Sequence, residues 1–203
     1  MTDRTEHWNG VYLHKDPAAV SWHQPRPDAS LKAIDLIAAQ DQPLLDVGGG
    51  ASGLIGCLQE RGWSDLTVLD ISEAALAVSA RQLGPRAGDV AWIVADIIGW
   101  TPPRAYGIWH DRAVFHFLTD AVGRAAYVAA LSEGVRSGGH VILATFAPDG
   151  PDACSGLPVR KYSAAQLAQE LGPDFALLHD WHELHRTPGG AVQSFTWCVF
   201  ERR

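Results

Sequence analysis

Positive charge is scarce in this sequence: 16 lysines and arginines stand against 23 aspartates and glutamates in 203 residues, a net charge of −7. That balance disfavours nucleic acid as a partner, because proteins that bind a phosphate backbone present a basic face. Cysteine is scarce as well. Cys57, Cys154 and Cys198 are far apart and odd in number, which makes neither a disulfide framework nor a CxxC metal site. This fits a reducing, cytoplasmic setting. No apolar run approaches the ~18 residues that span a bilayer, and the opening "MTDRTEHWNG" has no apolar signal core. Internal repeats and low-complexity segments are missing too. The length suits one domain with a real core and is too short for two.

What the sequence does contain is an alternation of short apolar runs with helical patterns. "PLLDVG", "LTVLD", "VAWIVADI", "YGIWHD" and "HVILATF" read as five strands. Helices are expected over Leu54 to Arg61, stopped by Gly62; over "EAALAVSARQL", capped by Ser72 and closed by Gly84; and from Thr119 to about Arg136, broken by "SGG". Ser163 and Gln166 form a capping-box pattern for a helix to about Leu171. The tail then reads as two long strands around "TPGG", with no helix between them, and so as an antiparallel pair. The expected fold is α/β: a Rossmann-like, doubly wound sheet of five parallel strands plus a C-terminal antiparallel hairpin. Residues 30–203 form the domain. Residues 1–29 form an aromatic- and proline-rich arm, whose stretch 7–27 is too irregular for a regular element and is expected to cover the sheet's carboxyl edge.

Within "LLDVGGGASGL", Gly48, Gly50 and Gly53 satisfy the G-x-G-x-x-G spacing of dinucleotide sites. Taken alone, that spacing suggests a hydride-transfer enzyme. Asp46, two residues before the first glycine, argues otherwise: a pyrophosphate there would feel a nearby negative charge, whereas an ammonium or sulfonium group would be attracted. Asp70 ends the second strand, where its two oxygens can accept both hydroxyls of a ribose. Asp96 lies in "VADI" at the end of the third, suited to the amine of an adenine. Acids at three successive strand ends converge on the crevice where open α/β sheets hold ligands. Each could instead merely cap a helix or turn.

"LLDVGGGASGL", "LTVLDIS", "VADI" and the C-terminal hairpin together resemble the class I S-adenosylmethionine-dependent methyltransferases. Ser52 stands where that family usually has a third loop glycine. "HWNGVY", "VSWHQ", "DRAVFHFL" and "HRTPGG" resemble a subgroup of small methyltransferases, one that includes the mitochondrial lysine methyltransferase acting on citrate synthase. The resemblance implies that Asp46, Gly48, Gly49, Gly50, Asp70, Ile71, Asp96 and Ile97 surround S-adenosylmethionine, with Asp111 and Arg112 beside its methionine part. A dehydrogenase is the competing enzyme class; the antiparallel tail, the absence of a Tyr-x-x-x-Lys pair and the lack of a second domain stand against it.

Acceptor-side candidates come from segments expected at the same edge. His116, in "HDRAVFHFL", is the best-placed titratable residue, and His185, near the hairpin turn, is the second; both are candidate general bases, or else packing histidines. Gln193 on the returning strand can join His185. Tyr12 and Trp22, with Trp8, are the aromatic cover. "APDGPDACSGLPVRKY" is expected to be a lid without regular structure, offering Cys154 and Ser155. A metal at His179, His182 and His185 is not expected, because no carboxylate or cysteine cluster completes a site. The acceptor is expected to be a small molecule or one exposed protein side chain, lysine amine and thiol among them. Oligomeric state is not readable.

Overall fold

A computed structural model describes residues 4–37 and 41–203; residues 1–3 of the expected arm lie outside it. Its centre is a seven-stranded sheet. β1 (Leu44–Val47), β2 (Leu66–Asp70), β3 (Val90–Val94), β4 (Tyr106–Arg112) and β5 (Val135–Phe146) run parallel. After the two short strands β6 (Ala153–Cys154) and β7 (Leu157–Pro158), β8 (Phe175–Arg186) and β9 (Val192–Arg202) form the antiparallel pair. β9 joins the sheet against β5, giving the order β3-β2-β1-β4-β5-β9-β8. The five parallel strands plus hairpin therefore make one mixed sheet.

Helices cover both faces. α2 (Asp28–Leu36), α3 (Leu54–Glu60) and α4 (Glu73–Leu83) pack on one, around Leu31, Ile55, Leu76, Ile108 and Val199. α5 (Ala121–Gly134) and α6 (Ala164–Leu171) pack on the other, around Leu45, Trp109, Tyr127, Leu143 and Leu167. β4 shows how period-two alternation divides the cores: Ile108 belongs to the first and Trp109 to the second. Buried side chains on both faces are what a covered parallel sheet requires. Among the described residues no helix is long and apolar enough to cross a membrane.

Several boundaries follow local chemistry read from the sequence. Ser72 accepts a hydrogen bond from the Ala75 N–H, and Ser163 and Gln166 close a reciprocal capping box. Others need correcting. The stretch expected to be irregular contains α1 (Arg4–His14), obscured because only Val11 of that helix is buried and no apolar stripe marks it. α2 was not anticipated either. β3 ends at Val94, so Asp96 lies two residues beyond it. Asp120, not Thr119, caps α5, accepting from the Gly123 N–H. β5 starts at Val135, because the chain passes from α5 straight into the strand. The lid carries the β6–β7 hairpin, turned by Ser155 at φ 50° and Gly156 at φ 78°.

Candidate functional site

The strand order changes direction between β1 and β4, and α/β sheets open a crevice at such a point. Two clefts lie there along the carboxyl ends of the strands. The larger spans about 790 Å³ with the open solvent above it included. Its floor comes from Gly48, Asp70, Ile71, Asp96 and Ile97, and its cover includes Trp8, Tyr12 and Trp22. The second cleft lies over Asp46, Gly48, Gly49 and His110. Tyr12, Trp22, Val47, Gly48 and Arg112 line both.

The glycine loop turns sharply because Gly48 sits at φ 66°, a conformation that costs a side-chain-bearing residue. A Cβ on Gly48 would lie 2.1 Å from Val114 Cγ2, and one on Gly49 would lie 2.5 Å from Asp46 Oδ2. Bare backbone is thus required on both sides of the loop. Ala113, at φ 75°, is the strained residue that turns the chain after β4 and brings Val114 against this loop.

Asp70 is nearly sealed. Its Oδ1 accepts from the Ser72 N–H at 2.8 Å, and burial, aided by the charge of Asp46, pushes its pKa up to about 7. Asp96 is occupied on two sides, with Oδ1 accepting from the Ile98 N–H and Oδ2 3.5 Å from Arg4 Nη2. Asp46 does not stand free at the loop. Its Oδ1 is 2.7 Å from His110 Nδ1, and His110 Nε2 is 3.0 Å from Ser30 Oγ, all three groups being buried. Asp46 Oδ2 has no partner. His110 and Ser30 were missed in the sequence; a period-two reading of "IWHDR" could have grouped His110 with Arg112.

That alternation also separates Asp111 from Arg112. Asp111 faces the α5 side, where it accepts from the Val114 and Phe115 N–H groups and from Tyr127 Oη at 2.7 Å. Burial pushes its pKa up to about 6. It lines neither cleft and instead builds the turn after β4. Arg112 faces the clefts, its Nη1 donating to the Trp22 carbonyl at 3.0 Å.

The two histidines part company with expectation. His116 is fully buried between Phe117 and Phe146, and its Nδ1 accepts from the Phe146 N–H at 3.3 Å. Burial and nearby Arg112 drive its pKa down to about 3. It lines neither cleft. His185 lies 2.8 Å through Nε2 from the Ser21 carbonyl, which fixes Nε2 as the protonated nitrogen. It also lines neither cleft and holds the arm against the sheet. Gln193 pairs across the hairpin with His185, and its buried Oε1 has no partner. Cys154 does line the larger cleft, but burial pushes its thiol up to about 11, so it stays protonated at neutral pH. Tyr12 Oη accepts from Trp22 Nε1 at 3.2 Å, and burial raises its pKa well above the ordinary value.

No protein-family model matches the chain, and no curated protein does. Solved structures do. One, described as a SAM-dependent methyltransferase from Anabaena variabilis, superposes with a TM-score of 0.77 at 16% identity, covering 98% of this chain and 93% of its own. The N-methyltransferase NodS from Bradyrhizobium japonicum, in complex with S-adenosyl-L-homocysteine, gives 0.74 at 16% identity over 98% and 99%. The 1,6-didemethyltoxoflavin-N1-methyltransferase of Burkholderia thailandensis, with 1,6-didemethyltoxoflavin and S-adenosylhomocysteine bound, gives 0.71 at 18% over 98% and 85%. At these identities the likeness is one of fold.

Proposed function

We propose that the chain is an S-adenosylmethionine-dependent methyltransferase. The observation that carries this reading is the larger cleft at the strand-order reversal, where Asp70 and the bare backbone of the glycine loop meet under an aromatic cover. Asp70 suits a ribose diol, since a carboxylate accepts two hydroxyls at once. Ile71 and Ile97 offer apolar walls for a base. The methyltransferase fold neighbours, two of them with S-adenosylhomocysteine bound, support the same assignment.

When bound, the cofactor supplies an electrophilic methyl group on a good leaving group. The chain's own tasks are to align the nucleophile and exclude water. Trp8, Tyr12 and Trp22 serve the second task. For proton removal from a protonated acceptor, the Asp46–His110–Ser30 chain under the second cleft is better placed than His116 or His185, because Asp46 orients the imidazole and both groups line that cleft.

The acceptor is a small-molecule nucleophile or an exposed protein side chain. The sequence's resemblance to the subgroup of the citrate synthase lysine methyltransferase keeps a protein amine in view, and a thiol is the remaining class. Isothermal titration tests the cofactor reading: S-adenosylhomocysteine is expected to bind and NAD not to, and the reverse would make the chain a nicotinamide enzyme. Labelled S-adenosylmethionine with fractionated lysate then separates protein from small-molecule acceptors.

A further inference from the structure

Arg112 is the one guanidinium that lines both clefts, and its contacts are incomplete. The residue as a whole is half-buried, and only Nη1 has a hydrogen-bond partner, the Trp22 carbonyl. Nε and Nη2 are buried with none. Among the described residues no carboxylate lies within ion-pair distance of it. Glu183, the acid that acts on it most, is engaged elsewhere, accepting from Trp197 Nε1 at 2.6 Å and Gln24 Nε2 at 3.2 Å. The Arg112 guanidinium carbon sits 5.0 Å from the centroid of the Phe195 ring. A buried cation without a counter-charge is costly and calls for a partner.

The two unpaired nitrogens have a geometric meaning. Nε–H and one Nη2–H form a single edge of the planar fork, with parallel donors that match the two oxygens of a carboxylate. Nη1, on the far edge, is the nitrogen spent on the protein. The location matters as well. Asp70 stands at the end of β2, while Arg112 ends β4, with β1 between them. Its other neighbours come from the far side of the crevice: Phe195 from β9 and Cys154 from the β6–β7 hairpin. The guanidinium is therefore set apart from the floor assigned to the nucleoside.

We propose that the methyl acceptor carries a carboxylate, held by the Nε–Nη2 edge of Arg112, and that this contact selects the substrate. The proposal rests on the methyltransferase reading and moves Arg112 from the cofactor's methionine end to the acceptor. A carboxylate could reach the guanidinium from either source, since the cofactor has one of its own, so the experiment separates them.

Acetate, malonate and benzoate, and their amides at matched ionic strength, are titrated into the protein with and without saturating S-adenosylhomocysteine, and the melting temperature is read. At least one acid is expected to raise it while its amide does not. The shift is expected to vanish in Arg112→Met and to fall by half or more in Arg112→Lys, which keeps the charge and loses the paired edge. Shifts that persist in both variants, equal shifts from acids and amides, or no shift from any acid overturn the proposal. The second arm compares S-adenosylhomocysteine with 5′-methylthioadenosine, which lacks the amino-acid end. Arg112→Lys is expected to bind each within about threefold of wild type. A tenfold loss for the former alone assigns the guanidinium to the cofactor's carboxylate and also overturns the proposal. If the wild type binds neither nucleoside, the methyltransferase reading fails instead, and the titration without nucleoside still judges the guanidinium.

Discussion

Replacing Asp70 by asparagine should make the unliganded protein more stable at alkaline pH and the complex weaker. The carboxyl has an ordinary pKa of 3.8 and is pushed up to about 7 by burial. Between those values the folded chain holds a proton that the unfolded chain has released. The proton's stabilisation is fully present below the lower value and is lost as pH rises through the upper one. Some three pH units, at about 1.4 kcal/mol each, set a ceiling near 4 kcal/mol on the cost of holding the ionised group above pH 7. Asparagine has no such cost, and the bond from the Ser72 N–H is already contained in the net shift. About two of the three units lie between pH 5 and pH 7, so the variant should gain up to about 3 kcal/mol on the wild type between pH 5 and pH 8. Urea unfolding at the two pH values reads this difference directly. At pH 8 the same substitution should weaken S-adenosylhomocysteine binding at least tenfold, since bonds to a charged acceptor contribute about 1.5–3 kcal/mol. Parallel pH dependence of stability in the two proteins would refute the burial argument. An unchanged dissociation constant would remove Asp70 from the site.

Gly48→Ala should lower stability by about 2 kcal/mol or more, since it combines a left-handed backbone with a Cβ 2.1 Å from Val114 Cγ2; normal unfolding and normal cofactor binding would show that the loop has room. His116→Gln should flatten the acid limb of the stability curve. The folded imidazole has its pKa lowered from 6.5 to about 3, so its contribution is present above pH 6.5 and lost as pH falls through that window. An acid limb as steep as that of the wild type would place the titration elsewhere. Cys154, with its thiol raised from 9.0 to about 11, should be alkylated by iodoacetamide at pH 7.5 roughly a hundredfold more slowly than an ordinary thiol, because the thiolate is the nucleophile; peptide mapping against Cys57 reads the rate, and equal labelling would contradict the burial.

The parts of the site that were legible are those whose chemistry is local in the chain. The glycine loop, Asp70 and the Ser72 cap fall within 25 successive residues, and strand-to-helix turns of this kind have few geometric solutions. What the sequence did not yield depends on which face of the sheet a residue meets. Period-two alternation separates His110 and Arg112 from Asp111, but only the packing of α2 on one side and α5 on the other decides that the first pair lines the clefts while Asp111 bonds to Tyr127. His116 was misjudged for a related reason. It follows β4 in a short 3-10 turn, Phe115–Phe117, which carries it between Phe117 and Phe146 instead of along the edge. α1 escaped notice because it rests chiefly on α4 and the clefts. Its Asn9 Oδ1 accepts from Ser72 Oγ at 2.8 Å, a contact no local pattern announces.

The cover of the clefts is tied down by partners far along the chain. His185 holds the Ser21 carbonyl across 164 residues, Glu183 holds Gln24 across 159, and Arg112 holds the Trp22 carbonyl across 90. Contacts of such span are entropically the most expensive to close and form late in folding. On the ribosome this gives assembly an order. The cover is made before β8, and a chain stopped short of that strand would carry the glycine loop and Asp70 beneath a cover held by Arg4, Asn9 and Arg112 but lacking the two fastenings that β8 supplies.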